Sequence, residues 1–161
     1  MLFDLQVFGG AKLLGRPVRQ LSDLEKIVLE GMPFSAVENA FRVVSPGQSK
    51  DELHVMLHVV FHADDGKRYG DLQKALSKIS AKKGIASSLR LETAEGERAE
   101  RLARIYALAL KAVGSKKAAG AFMFAPHKML AGSTPLEKLE TEVGAHEVER
   151  ILAASIYGLP A

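Results

Sequence analysis

The stretch AEGERAERLARIYALALKAV, Ala94 to Val113, decides the fold class. Leu102, Ile105, Tyr106, Ala109 and Val113 recur at three- and four-residue spacing, which on an α-helix makes one buried stripe. Glu97, Arg101 and Arg104 fall outside that stripe, so the helix is expected to be amphipathic, with one side in a core.

Segments on either side share this character. A Ser or Thr followed three residues later by Glu lets two side chains satisfy the orphan backbone N–H groups of a helix start. Ser22/Glu25, Ser35/Glu38, Ser49/Glu52 and Thr134/Glu137 all have this spacing, and each precedes an amphipathic stretch. Thr134 is the strongest start, because Pro135 then takes the first helical position, where its missing N–H costs nothing. Stops follow at Gly31, Pro46-Gly47, Gly66, Gly114, Gly132 and Gly158. Predicted helices span 22–30, 34–44, 50–62, 70–82, 94–113, 116–124, 135–142 and 145–157. The segment His54–His62 also alternates like a strand, with Val55, Leu57, Val59 and Phe61 on one side and Asp65-Gly66 as a hairpin turn. Helical neighbours and the Ser49/Glu52 cap favour a helix there. The expected fold is all-α: a helical bundle with a helix-turn-helix-like N-terminal region, 1–92, and a second helical region, 93–161.

A chain of 161 residues that is 47% hydrophobic suits one compact domain, or two small helical subdomains sharing a core. It has no cysteine, which excludes disulfides and thiolate metal sites. No apolar run approaches the roughly 20 residues of a membrane span, and Met1-Leu2-Phe3-Asp4 lacks the basic start of a secretion signal. The expectation is a cytoplasmic protein with no membrane partner. The net charge of +3 is unevenly spread. Lys74, Lys78, Lys82, Lys83 and Arg90 occupy a stretch free of acidic residues, whereas Glu137, Glu140, Glu142, Glu147 and Glu149 crowd the region after residue 136. A basic middle and an acidic end suit two different partners, or two solvated helix faces.

Signatures of catalysis are missing. There is no phosphate-binding glycine loop ending in Lys-Ser/Thr, no G-x-G-x-x-G and no G-x-S-x-G nucleophile elbow, so neither an enzyme nor a cofactor is expected. His54, His58 and His62 lie four residues apart on one side of a helix, with Asp64 and Asp65 near enough in sequence to complete a zinc shell. They match no zinc signature and read as polar residues on an amphipathic element, with no metal expected.

The last third of the chain carries a run of motifs. Ala119-Gly120-Ala121-Phe122-Met123-Phe124-Ala125-Pro126 resembles A-x-x-W-L-x-x-P, with Phe122 in place of the usual Trp. Leu130-Ala131-Gly132-Ser133-Thr134-Pro135-Leu136-Glu137-Lys138-Leu139 resembles L-x-G-x-T-P-L-E-x-L. Thr141-Glu142-Val143-Gly144-Ala145 resembles T-E-x-G-A, and Val148-Glu149 with Leu152, then Tyr157-Gly158, complete the series. In order and spacing, residues 99–161 resemble the toxin-binding domain of the Xre/MbcA/ParS antitoxins. Upstream, Gly31-Met32-Pro33 resembles a G-L-P that opens the family's N-terminal helical region, and residues 54–84 diverge from it.

The resemblance implies an antitoxin of a type II toxin–antitoxin pair. Its partner would be a RES-domain toxin that consumes NAD or transfers ADP-ribose from it. The toxin-binding residues it implies are Glu149, Tyr157, Gly158, Leu159, Pro160 and Ala161, a tail that plugs the toxin's NAD cleft. It also implies a homodimer that binds operator DNA and represses its own operon. Lys74, Lys78, Lys82, Lys83 and Arg90 are the candidate DNA contacts, suited to phosphates more than to base edges. The alternative is a protein that is chiefly a helix-turn-helix DNA-binding regulator. The motif residues Phe122, Leu136, Leu139, Val148 and Leu152 are read as core packing, and Gly132 and Gly144 as sharp turns.

Overall fold

The computed structural model describes residues 2–45, 47, 49–62 and 90–158. The elements, in chain order, are α1 (Leu2–Val7), α2 (Gly10–Leu14), α3 (Leu21–Glu30), α4 (Phe34–Val44), α5 (Lys50–Phe61), α6 (Thr93–Val113), α7 (Lys116–Phe124), a 3₁₀ turn (Lys128–Leu130), α8 (Pro135–Lys138) and α9 (Glu142–Tyr157). The fold is all-α. The predicted helix at 70–82 lies outside the described residues.

α6 is the axis of the bundle. It packs against α1, α3, α4 and α5 on the N-terminal side and against α7 and α9 on the C-terminal side. The predicted domain boundary at residue 93 thus falls at the start of a helix whose sides are shared by both halves. Leu102, Ile105, Tyr106 and Ala109 are buried as the stripe requires, together with Ala99 and Ala103. Val113 departs from the expectation: it is the last residue of α6 and is exposed, because the chain turns away at Gly114, which holds a left-handed φ of 81°.

α4 is the most enclosed element. Phe34, Ala36, Val37, Ala40, Phe41 and Val44 are all buried. Phe61 of α5 lies between Phe34 and Phe41, with both ring centroids 6.2 Å from its own. Each such side chain contributes on the order of 1.5–3 kcal/mol through burial. The histidine-rich segment is therefore helix, with Met56, Leu57, Val59, Val60 and Phe61 turned inward.

Of the four expected capping boxes one is complete, at Thr134/Glu137, one is half made, at Ser49/Glu52, where the Glu52 carboxylate accepts from Gly47 N–H instead, and two are not formed. The Ser49 hydroxyl accepts from the backbone N–H of Glu52 at 3.2 Å. The Thr134 hydroxyl accepts from Glu137 N–H at 3.1 Å while the Glu137 carboxylate accepts from Thr134 N–H at 3.2 Å, with Pro135 at the first helical position. By contrast, Ser22 lies inside α3. That helix starts at Gln20, and the Asp23 carboxylate accepts from Arg19 and Gln20 N–H at 3.0 and 3.2 Å. Ser35 lies inside α4, which starts at Pro33. Pro33 bridges to Arg90, and Leu91 N–H donates to the Met32 carbonyl at 2.9 Å, so a long-range tie sets this start. Glu38 is consequently buried and ion-paired with Arg42, and its burial pushes the carboxyl pKa up.

Candidate functional site

The helices α8 and α9 form a short, tightly closed corner. Leu136 and Leu139 are fully buried beneath it. The Thr141 hydroxyl caps α9 by accepting from Gly144 N–H at 3.0 Å. Gly144 itself is helical and makes no sharp turn, contrary to the expectation. A Cβ there would sit 2.0 Å from the Lys138 carbonyl oxygen, so glycine is required for close approach of two backbones. Gly132 does turn, with φ of 86°.

α9 has two unlike sides. Ala145, Val148 and Leu152 are buried against the bundle. On the opposite side Val143, Glu147, Arg150, Ala154 and Tyr157 recur at alternating four- and three-residue spacing and form an outward stripe. Val143 is 73% exposed and Tyr157 66% exposed, at the two ends of a line about 21 Å long. Met129, 54% exposed, stands beside the middle of this stripe and with Glu147, Arg150 and Ile151 lines a depression of about 220 Å³. Glu147 is paired with Lys138 at 3.3 Å. Arg150 has no carboxylate partner among the described residues. A mixed strip with exposed Val143, a guanidinium that has no carboxylate partner among the described residues, and a terminal tyrosine has the composition of a protein-binding surface, where Tyr and Arg are common anchors.

The flank of α9 that faces α6 is a charge network. Arg101 donates to the carbonyls of Leu139 at 3.0 Å and Glu140 at 3.2 Å, and to the Glu142 carboxylate at 3.3 Å. Arg104 meets Glu142 at 2.8 Å and Glu149 at 3.2 Å. His146 adds contacts to Glu149 at 3.1 Å and Glu142 at 3.7 Å. Burial pushes the Glu142 carboxyl up, but hydrogen bonds and charge from Arg104 and Arg101 outweigh it and hold the group below its ordinary range. Nearby, Arg98 donates to the Val60 carbonyl at 2.6 Å, at the end of α5. Three arginines one turn apart on α6 therefore hold α5, the α8–α9 corner and α9 in place.

The sequence candidates fall in different places. Glu149 belongs to the Arg104–His146 network on the flank of α9. Tyr157 ends the outward stripe, and Gly158 closes α9 with φ of 66°, its N–H donating to the Ala154 carbonyl. Leu159, Pro160 and Ala161 lie outside the described residues, as do Lys74, Lys78, Lys82 and Lys83. Arg90 is exposed, in the short bridge to Pro33. α3, the turn at 31–33 and α4 connect as a helix-turn-helix, in which α4 gives most of its surface to the core and leaves Arg42 exposed with Ser35, Asn39 and Val43 half-buried. Among the described residues no three His, Asp or Glu side chains gather as a metal site, and His58 instead meets Glu140 at 3.4 Å. His127 caps the 3₁₀ turn, its Nδ1 accepting from Met129 N–H at 3.2 Å, and packs edge-on to Phe122. Sequence reasoning missed Val143, Arg150 and Met129. The 3.6-residue period from Val143 to Tyr157 was the available signal for the first two.

Residues 108–158 match the antitoxin Xre/MbcA/ParS C-terminal toxin-binding domain. The match begins in the last third of α6 and ends at the glycine that closes α9, so it encloses the α8–α9 corner and the outward stripe. No curated protein matches the chain. The description of the matched family is that of a domain that binds toxins, and the match covers this stretch of the chain alone. No helix among the described residues is long and apolar enough to cross a membrane.

Proposed function

We propose that this chain, with an antitoxin toxin-binding domain in its last third, is the antitoxin of a type II toxin–antitoxin pair. Its partner is a RES-type toxin that consumes NAD or transfers ADP-ribose from it. The observation that carries this reading is the family match at residues 108–158, over a region whose outer face exposes Val143 and Tyr157 and holds an arginine with no carboxylate partner among the described residues. The outward stripe of α9 docks on the toxin, Tyr157 anchors the end of the contact, and the tail from Gly158 to Ala161 reaches toward the NAD cleft. Glu149 orients Arg104 and thereby the helix, in addition to any contact of its own.

The same proposal includes a homodimer that binds its operator and represses its own operon. Arg90 and the lysines Lys74, Lys78, Lys82 and Lys83 are its phosphate contacts. The core takes most of α4, and its exposed Arg42 is already paired with Glu38, which argues against base reading by that helix.

The test is co-purification with the product of the adjacent open reading frame, followed by that protein's NAD turnover with and without this chain. A stoichiometric complex with suppressed turnover is expected. Deleting Tyr157 to Ala161 is expected to restore turnover; suppression that survives the deletion removes the plug and keeps the antitoxin. Operator binding is checked by its salt dependence, since displaced counterions make phosphate contacts weaken steeply with salt.

A further inference from the structure

A second surface lies away from the outward stripe, between α3 and α6. Leu21 and Leu29 of α3 are 67% and 63% exposed, the largest exposures of leucine among the described residues. They lie eight residues apart, two helical turns or about 12 Å, with Glu25 midway on the same side. Buried Leu24 and Val28 form the floor of a groove of about 590 Å³, and Glu97, Arg101 and Arg104 of α6 form the far wall.

Charge in this groove is one-sided. Arg101 and Arg104 are neutralised by Glu142, Glu149 and Glu100. Glu25 and Glu97 have no cationic partner among the described residues. What remains uncompensated among the described residues is Glu25 on the α3 rim and Glu97 on the α6 wall of the groove, with a leucine at each end of the α3 rim. A helix with apolar residues on one face and Lys or Arg beside them complements both features, burying leucines while pairing the carboxylates.

We propose that the α3–α6 groove is a docking site for a cationic amphipathic helix of a partner protein, independent of the outward face of α9. Leu21 and Leu29 are its apolar contacts, and Glu25 and Glu97 fix the sign of the ligand. The groove borders the Arg104–Glu142 pair, so a helix seated there touches the network that orients α9.

The probe is a fluorescein-labelled Leu/Lys peptide of about 16 residues, roughly 24 Å as a helix, titrated into the full chain by fluorescence anisotropy. Saturable binding is expected, weakened at least 10-fold by Leu21→Ser with Leu29→Ser and by Glu25→Lys with Glu97→Lys. All four positions are exposed, so thermal unfolding of both variants stays that of the parent. A scrambled peptide of the same composition, lacking an apolar face, is expected to bind at least 10-fold more weakly. Equal binding of the scrambled peptide, or unchanged affinity in the variants, overturns the proposal. A homodimer that the Leu21/Leu29 variant dissociates also overturns it, by giving the groove to a second copy of the chain.

Discussion

α4 and α9 carry similar helix-forming sequences and are used in opposite ways. α4 is enclosed by α1, α2, α6 and α7, and buries six apolar side chains. α9 leans on α6 and α8 with one side only and leaves Val143 and Tyr157 in solvent. α4 gives most of its surface to the core and leaves only Arg42 exposed, which is little to offer a partner. A helix held by one buried stripe and a charged flank presents a free face at no cost to stability. Substitutions in α4 should therefore unfold the protein, whereas substitutions on the outer side of α9 should leave folding intact and remove binding.

The largest expected effect on stability is at Phe41. Phe41→Ala empties space between α4 and α5 and should cost about 3–5 kcal/mol, read by urea unfolding. An effect below 1 kcal/mol, an order-of-magnitude floor for such truncations, would mean that α4 is not the centre of the core. Gly144→Ala comes next. Its Cβ meets the Lys138 carbonyl oxygen, a backbone atom that cannot rotate away, so about 1–3 kcal/mol is expected, together with loosening of α9 in hydrogen exchange. Thr134→Ala removes the cap of α8 and should cost about 1 kcal/mol.

Acid sharpens the contrast between the two helices, because the fold shifts the carboxyls of Glu38 and Glu142 in opposite directions. The folded state raises Glu38 above its ordinary 4.5. Between that value and the raised one the folded state holds a proton that the unfolded chain has released, so this group's contribution falls as pH rises. Glu38→Gln should thus match or exceed the parent in stability at pH 7, with the difference closing below pH 4.5. Glu142 is held below its ordinary 4.5, so its contribution is present above that value and is lost as pH falls through the lowered one. Amides of α9 should accordingly lose protection in acid before those of α4. The smallest effect is at Tyr106, whose hydroxyl is buried with no hydrogen-bond partner among the described residues. Tyr106→Phe should be neutral or slightly stabilising, since it deletes an unsatisfied group.

The same contrast explains what was legible in the sequence. Thr134-Pro135-Leu136-Glu137 names its own helix start, because cap, proline and reciprocal glutamate are three local signals that agree. Ser22 and Ser35 have the same spacing to a glutamate, yet Asp23 captures one start and the Pro33–Arg90 bridge imposes the other. Local spelling cannot register a tie to a residue 57 positions away. α1 and α2 went unread for a related reason: they are six and five residues long, have no side-chain cap at their starts and are held by packing on α4 and α6. At the candidate site, the motif residues were readable as core. The Arg101–Arg104 network was not, because its partners lie some 40 residues downstream, and the sequence shows only that arginines and glutamates are present.

The most direct test of the central claim is the affinity of the co-expressed toxin for Arg150→Glu and Tyr157→Ala, measured beside their thermal unfolding. Parent-like unfolding with affinity at least 100-fold weaker is predicted for the pair of substitutions, and NAD turnover should return. Undiminished affinity in a fully folded double variant would contradict the assignment of the outward face of α9 to the toxin.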